Sequence, residues 1–222
     1  MVCIDVNITA DTILEGKEQF TIQLTTAMPQ RVVINVSTVS VWILPPPNIT
    51  LGPSDTLVSM GDSLTLNCVS TNIGSIQITW TGPNGDLSGE QVVGSDSVSS
   101  TLTLTEVDSN DGGEYTCVAS NEAGVDSAVG VVYVRPVVSP TIGAASLGDM
   151  VDFVCVVQNN PPANISWERM DDSGVFMSLM GETERTLNFD LIAYSDSGFY
   201  RCVVNTALFG VLESPAAVLA GE

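Results

Sequence analysis

Asp111-Gly112-Gly113-Glu114-Tyr115-Thr116-Cys117 reads Asp-x-Gly-x-Tyr-x-Cys, and the chain repeats the pattern as Asp196-Ser197-Gly198-Phe199-Tyr200-Arg201-Cys202. Upstream of each copy stand a Cys and then a Trp, Cys68 with Trp80 and Cys155 with Trp167, twelve residues apart in both cases. The two copies are offset by about 87 residues, so the chain declares an internal repeat before any strand is assigned.

Around each copy the apolar pattern has a period of two, the signature of strands buried on one face. Gly61-Asp62-Ser63-Leu64-Thr65-Leu66-Asn67-Cys68 puts Leu64, Leu66 and Cys68 on one side, and Ile76, Ile78 and Trp80 share a side of the next run. Thr101 to Leu104 alternate; Tyr115, Cys117 and Ala119 then face inward, and Val125 to Val134 returns as a last strand. In the second repeat, Gly148-Asp149-Met150-Val151-Asp152-Phe153-Val154-Cys155, Ile165-Ser166-Trp167 and Thr186-Leu187-Asn188-Phe189 follow the same order. Gly82-Pro83-Asn84-Gly85 predicts a hairpin turn centred on Asn84-Gly85, and Asn121-Glu122-Ala123-Gly124 predicts another turn. Short, evenly spaced strands with no helical period predict an all-β chain made of sandwiches.

These residues resemble the immunoglobulin superfamily over about 175 of the 222 residues. The resemblance implies two tandem sandwiches, residues 48–135 and 136–222, each bridged between its sheets by a disulfide. Cys68 would pair with Cys117 and Cys155 with Cys202, with Trp80 and Trp167 packed against the sulfurs. Tyr115 and Tyr200 fit tyrosine corners, whose hydroxyls bond backbone just upstream, and Asp111, Gly113, Asp196 and Gly198 shape the turns before them. Tyr115-x-Cys117-x-Ala119-x-Asn121-x-x-Gly124 is similar to the intermediate set of adhesion molecules and receptor ectodomains. The second copy departs from it, reading Val203-Val204-Asn205-Thr206 after Cys202. In this family a basic residue often pairs with the corner Asp. Arg185 is placed to pair with Asp196, whereas the first repeat offers Asp111 no cation, so Asp111 is expected to accept backbone amides.

Residues 3–8 alternate, as do Phe20, Ile22 and Leu24, and Val39, Val41 and Ile43, which predicts half-buried strands. Asp5, Asp11, the run Glu15-Gly16-Lys17-Glu18-Gln19-Phe20-Thr21-Ile22-Gln23-Leu24 and a closing strand from Ser37 to Ile43 are similar to the second half of a Calx-beta domain. Some members of that family bind calcium through clustered carboxylates, and Asp11, Glu15 and Glu18 could supply a few of the oxygens. Lys17 stands where the family has an acid, and the residues themselves read as a turn between solvated strands, so no metal is expected. Pro45-Pro46-Pro47 reads as a semi-rigid linker between residues 1–44 and the first sandwich. Val134-Arg135-Pro136 is a short connection that restricts bending between the sandwiches.

The chain carries 26 acidic and 6 basic residues and no His, for a net charge of −20, and Pro46 to Val134 contains no Lys or Arg. That field repels phosphate, so nucleic acid and anionic lipid are excluded as partners and a basic protein surface is attracted. Without His there is no histidine triad or histidine zinc site, the framework Cys lack CxxC spacing, and no glycine-rich phosphate loop occurs. Asp171-Asp172, Glu182 and Glu184 lie in polar loops. A non-enzyme without cofactor is expected.

Cys3 is left over from the two pairs, and Asn-x-Ser/Thr sequons occur at Asn7, Asn35, Asn48 and Asn164, with glycans favoured at Asn48 and Asn164. Paired Cys and sequons together indicate an oxidising, extracellular setting. The start lacks a leader pattern and no run of 18 apolar residues occurs, so a fragment of a longer ectodomain is expected, reaching a membrane only through segments outside it. The family resemblance then implies a single-pass cell-surface receptor or adhesion molecule, or a secreted matrix protein, that recognises a protein ligand or a homophilic partner. The second reading is a structural spacer in a modular matrix protein, with a calcium-stabilised Calx-beta-like region. Thr206-Ala207-Leu208-Phe209-Gly210 is an apolar hairpin tip that either contacts a partner or covers the end of a sandwich.

Overall fold

The computed structural model describes residues 18–23, 38–43, 45–71, 75–158 and 164–221. Expectations resting on Cys3, Asp5, Asn7, Asp11, Glu15, Lys17 and Asn35 lie outside the described residues. Strands β1 (Glu18–Gln23) and β2 (Thr38–Ile43) pair antiparallel, with Phe20 opposite Val41 and Ile22 opposite Val39.

The next nine strands build a first sandwich. They are β3 (Ile49–Leu51), β4 (Thr56–Val58), β5 (Leu64–Thr71), β6 (Gln77–Gly82) and β7 (Gly85–Leu87). After them come β8 (Glu90–Val93), β9 (Ser97–Leu104), β10 (Gly113–Asn121) and β11 (Gly124–Val134). One sheet runs β3-β5-β9-β8 and the other β4-β11-β10-β6-β7. Strand β3 lies antiparallel on β5; past Gly52-Pro53 the chain changes sheet, and β4 lies parallel on β11. Pro53 is buried at this crossing, where its missing N–H costs neither ladder a bond.

A second sandwich follows. Its strands are β12 (Val137–Ser139), β13 (Ile142–Ala145), β14 (Val151–Val156), β15 (Asn164–Met170) and β16 (Phe176–Ser178). They continue with β17 (Thr186–Phe189), β18 (Gly198–Thr206), β19 (Gly210–Glu213) and β20 (Ala217–Gly221). The sheets run β12-β14-β17 and β13-β20-β18-β15-β16, with β19 also on β18. Where β11 is continuous, its counterpart is broken into β19 and β20 by Ser214-Pro215-Ala216. Pro215 cannot donate to a ladder. Ser214 closes the gap: its hydroxyl accepts the Cys202 N–H at 3.0 Å, and its own N–H donates to the Cys202 carbonyl at 2.9 Å.

The period of two sorts side chains into cores. Leu66, Cys68, Ile78, Trp80, Tyr115, Cys117 and Ala119 join Val98, Leu102, Val132 and Val134 in the first. Phe153, Cys155, Trp167, Leu187, Tyr200, Cys202 and Leu219 build the second. Cys68 and Cys117 are bonded with Cα atoms 6.4 Å apart, and Cys155 and Cys202 with Cα atoms 5.9 Å apart. Trp80 stands opposite Cys117 in register and Trp167 opposite Cys202. Each indole N–H is satisfied, by Ser100 Oγ at 3.0 Å and by the Glu184 carbonyl at 2.9 Å.

The first hairpin differs from the sequence expectation by one residue. Gly82 pairs with Gly85, which centres the turn on Pro83-Asn84, and it is Gly85 that takes a positive φ, 108°. Proline's fixed negative φ suits the first central position of an ordinary turn and excludes the mirror-image turn that Asn84-Gly85 would have made there.

The proline stretch lies along the β10–β11 turn. The Pro45 carbonyl accepts from Asn121 Nδ2 at 2.9 Å, Pro47 is buried, and the Ile49 N–H donates to Asp126 Oδ2 at 2.7 Å.

Each bridge closes a loop of nearly 50 residues, which on the chain-entropy model destabilises the unfolded state by about 4 kcal/mol. Replacing both Cys155 and Cys202 by Val is therefore expected to lower stability by about 4 kcal/mol in denaturant titration. A loss below about 1 kcal/mol would contradict that account of the bridge.

Candidate functional site

The corners that hold β10 and β18 use the same contacts. The Tyr115 hydroxyl donates to the Asp111 carbonyl at 2.8 Å, and the Tyr200 hydroxyl to the Asp196 carbonyl at 2.6 Å. Asp111 Oδ2 accepts the Asp108 N–H at 2.8 Å, so the first corner does use a backbone amide. Asp196 Oδ2 takes the Ala193 N–H at 2.9 Å in the same way. Gly113 has a φ of 148°, a backbone region in which a side chain would be strained.

At the second corner a further arginine, Arg169, takes part. The Arg169 guanidinium donates to the Ser195 carbonyl and, at 2.9 Å, to the Ser197 carbonyl, and it lies 5.6 Å from the centre of the Tyr200 ring. The matching position in the first sandwich, two residues past the Trp, is Gly82, where a Cβ would come within 2.9 Å of the Tyr115 ring. The second core is also more aromatic: Phe153, Phe189 and Tyr200 meet with ring centres 5.2 to 6.1 Å apart.

Burial pushes the Tyr115 phenol up to about 12, with the Asp111 charge adding to the shift. Burial also raises Tyr133 and Tyr200; Arg169 opposes the rise at Tyr200 and Asp196 adds to it. Each of these phenols is thus easier to ionise in the unfolded chain. Their contribution to stability is complete below the unfolded value near 10 and is lost as pH rises through each raised folded value, about 12 for Tyr115.

Between the sandwiches lies a packed junction. Tyr133 on β11 stands opposite Leu57 on β4, one step out of phase with Val132, Val134 and Val58, which face the first core. Tyr133 and Leu57 therefore point away from their own core and pack into the second. Phe209, from the apolar hairpin tip, meets the Tyr133 ring with centres 5.9 Å apart, while Leu208 stays exposed. Gln158, buried, accepts the Val134 N–H on Oε1 at 2.7 Å. Gly112 makes room for it, since a Cβ there would lie 2.2 Å from that oxygen. The Tyr133 hydroxyl is buried and has no hydrogen-bond partner among the described residues.

The outer faces of the two matching sheets differ in chemistry. In the first sandwich three cross-strand rungs read Thr81–Thr116–Val129, Thr79–Val118–Ser127 and Gln77–Ser120–Val125. All nine side chains are uncharged, and Val125 and Val129 are 69% and 54% exposed. Glu114 and Asp86 begin the charged surround on neighbouring positions. In the second sandwich Arg201 occupies the position of Thr116. Its Nε donates to Glu168 at 2.7 Å, its terminal nitrogens grip Glu213 at 2.6 and 2.9 Å, and the group lies 4.1 Å from the centre of the Phe176 ring. An arginine held by two carboxylates and an aromatic ring is a preorganised polar patch.

Asp171 Oδ1 accepts the Ser173 and Val175 N–H groups at 2.9 Å each, which ties its own turn. Asn48 and Asn164 are both exposed, at the start of β3 and of β15. Among the described residues no three His, Cys, Asp or Glu side chains gather as a metal site, and no helix is long and apolar enough to cross a membrane. The contacts that sequence reading missed, Gly112 with Gln158 and Arg201 with its two Glu, join residues far apart in the chain.

Comparison with known proteins matches residues 46–121 and 135–205 to the family profile described as the immunoglobulin domain. Human probable oxidoreductase PXDNL is 32% identical over 73% of this chain and 11% of its own length. Human hemicentin-1 is 32% identical over 79% of this chain and 3% of its own. Neural cell adhesion molecule 1 of Gallus gallus is 32% identical over 60% of this chain and 13% of its own. The chain thus spans only a small part of the curated relatives it matches.

Two hydroxyls make opposite predictions. Tyr115→Phe strands the Asp111 carbonyl and is expected to lower stability by about 1–2 kcal/mol in denaturant titration, whereas Tyr133→Phe removes an unsatisfied buried group and should not lower it. Tyr115→Phe should also flatten the loss of stability between pH 10 and about 12, followed by circular dichroism. At the junction, Gly112→Val drives Gln158 off the Val134 amide. Small-angle X-ray scattering should then report a broader distribution of end-to-end lengths, and an unchanged profile would count against the junction as the source of rigidity.

Proposed function

The chain belongs to the immunoglobulin domain family, and from that premise we propose that it acts outside the cell by protein–protein recognition, as part of an adhesion molecule or receptor ectodomain. The packed junction carries this reading. Tyr133 and Leu57 entering the second core, together with the Gln158–Val134 bond, hold the sheets of both sandwiches in one orientation. A surface presented at a fixed angle loses less freedom on binding than one on a swinging domain. One relative is by name a cell adhesion molecule, which supports the same reading. In this reading residues 48–135 and 136–222 are the two domains, Asn48 and Asn164 carry glycans, and no catalytic step or cofactor is assigned.

The test uses the full chain displayed as a multimer on a biotin-capture scaffold and applied to a panel of cell lines. Saturable binding that heat-denatured protein lacks is expected. No saturable binding on any line would favour a spacer over a recognition module.

A further inference from the structure

Asn84-Gly85 is the one Asn-Gly pair in the chain, and the fold sets it at the tip of the β6–β7 hairpin with both residues exposed. Gly85 has a φ of 108°, and a Cβ built on it would meet nothing within 4 Å among the described residues, so the backbone that follows Asn84 is uncrowded. Asn84 Nδ2 donates to the Asn110 carbonyl at 3.2 Å, a long bond on the surface. The chain's one Asp-Gly pair, Asp111-Gly112, has a different setting. There Asp111 Oδ2 is tied back to the Asp108 N–H at 2.8 Å, and Gly112 is buried against Gln158. The matching hairpin turn of the second sandwich, Asp171-Asp172-Ser173-Gly174, carries no amide side chain.

We propose that Asn84 is a site of spontaneous deamidation in the folded protein, and that the product loosens the first corner. The Gly85 backbone nitrogen, its proton removed by base, attacks Asn84 Cγ. The N–Cγ bond forms, the Cγ–Nδ2 bond breaks, and Nδ2 leaves as ammonia with the proton that Gly85 gave up through solvent. Water then opens the succinimide ring at either carbonyl, leaving aspartate or isoaspartate at position 84, so water is consumed, ammonia is released and nothing is oxidised. Glycine favours the attack because no side chain stands beside its nitrogen and its backbone turns freely. The product exchanges an amide donor for a carboxylate, which only accepts. It then faces the Asn110 carbonyl beside Asp108 and Asp111, in a stretch from Pro46 to Val134 with no Lys or Arg to neutralise it. Asn110 belongs to the loop in which the Asp111 carbonyl holds the Tyr115 hydroxyl and Gly112 packs against Gln158. Loss of the tether thus acts on the corner and, through Gly112, on the junction. Neither step depends on the recognition reading above.

The test holds the full chain in mildly alkaline buffer, with a parallel sample in urea, and follows both by peptide mass spectrometry. Digestion uses pepsin in acid, which halts the reaction and suits a sandwich that offers trypsin no Lys or Arg. In the folded sample the peptide holding Asn84 should gain the mass of exchanging NH for O, faster as pH rises, and Asn84→Ala should abolish the gain. The folded rate should lie within about tenfold of the rate in urea, because an exposed loop tip opens at little cost. The peptide holding Asp111 should keep its retention time in the folded sample, showing that it does not isomerise. A folded chain that keeps the Asn84 amide while the urea sample loses it would overturn the site. For the consequence, Asn84→Asp stands in for the product at this exposed position. Amide hydrogens of residues 107–113 should exchange faster in Asn84→Asp than in the parent, by a margin that shrinks as salt is raised. Equal exchange in the two proteins would overturn the loosening of the corner.

Discussion

Along a strand successive side chains point to opposite faces, and here that single constraint places core, corner, junction and outer face together. On β10, Tyr115, Cys117 and Ala119 go inward, so Thr116, Val118 and Ser120 must go outward. On β11, Val132 and Val134 go inward, so Tyr133 must leave the first core, and at the end of the sandwich the space it enters is the second. A register slip of one residue would expose the disulfide and bury the neutral array. The disulfides fix that register from across the sandwich, and the tyrosine corners fix it from the end of the strand.

The two sandwiches solve the same problem with different side chains. In the first, Gly82 leaves the Tyr115 ring room and the surrounding core is mostly aliphatic. In the second, Arg169 from β15 reaches the carbonyls of Ser195 and Ser197 and covers Tyr200, within a cluster of three aromatic rings. Either arrangement leaves the tyrosine hydroxyl bonded to the corner carbonyl, which is why one seven-residue pattern serves both. The variation falls on the x positions: Thr116 against Arg201 makes one sheet face neutral and the other ionic.

Much of the fold was legible because its signals are local. Alternation, the spacing of Cys to Trp, and Asp-x-Gly-x-Tyr-x-Cys each lie within a few strands and reflect one physical demand apiece. The turn sits at Pro83-Asn84, one residue before Asn84-Gly85, because the fixed φ of the proline overrides the preference of the Asn-Gly pair. The surfaces were not legible. Gly112 reads in sequence as one more turn glycine, and only the fold brings Gln158, a residue of the other sandwich, against it. The same holds for Arg201 with Glu213, which meet only once β19 lies on β18. In the neutral array each residue looks like an ordinary outward strand position, and its character appears only when three strands are aligned.

The acidity of the chain gains a second meaning from that alignment. Taken alone, a charge of −20 keeps a protein soluble and monomeric. The same charge penalises any encounter that buries carboxylates without a cation, and both outer faces of the first sandwich are largely free of ionisable groups. The junction bears on the same surfaces. Tyr133 packs into the second core and Gln158 accepts the Val134 N–H, so a change at the end of one sandwich is felt in the packing of the other.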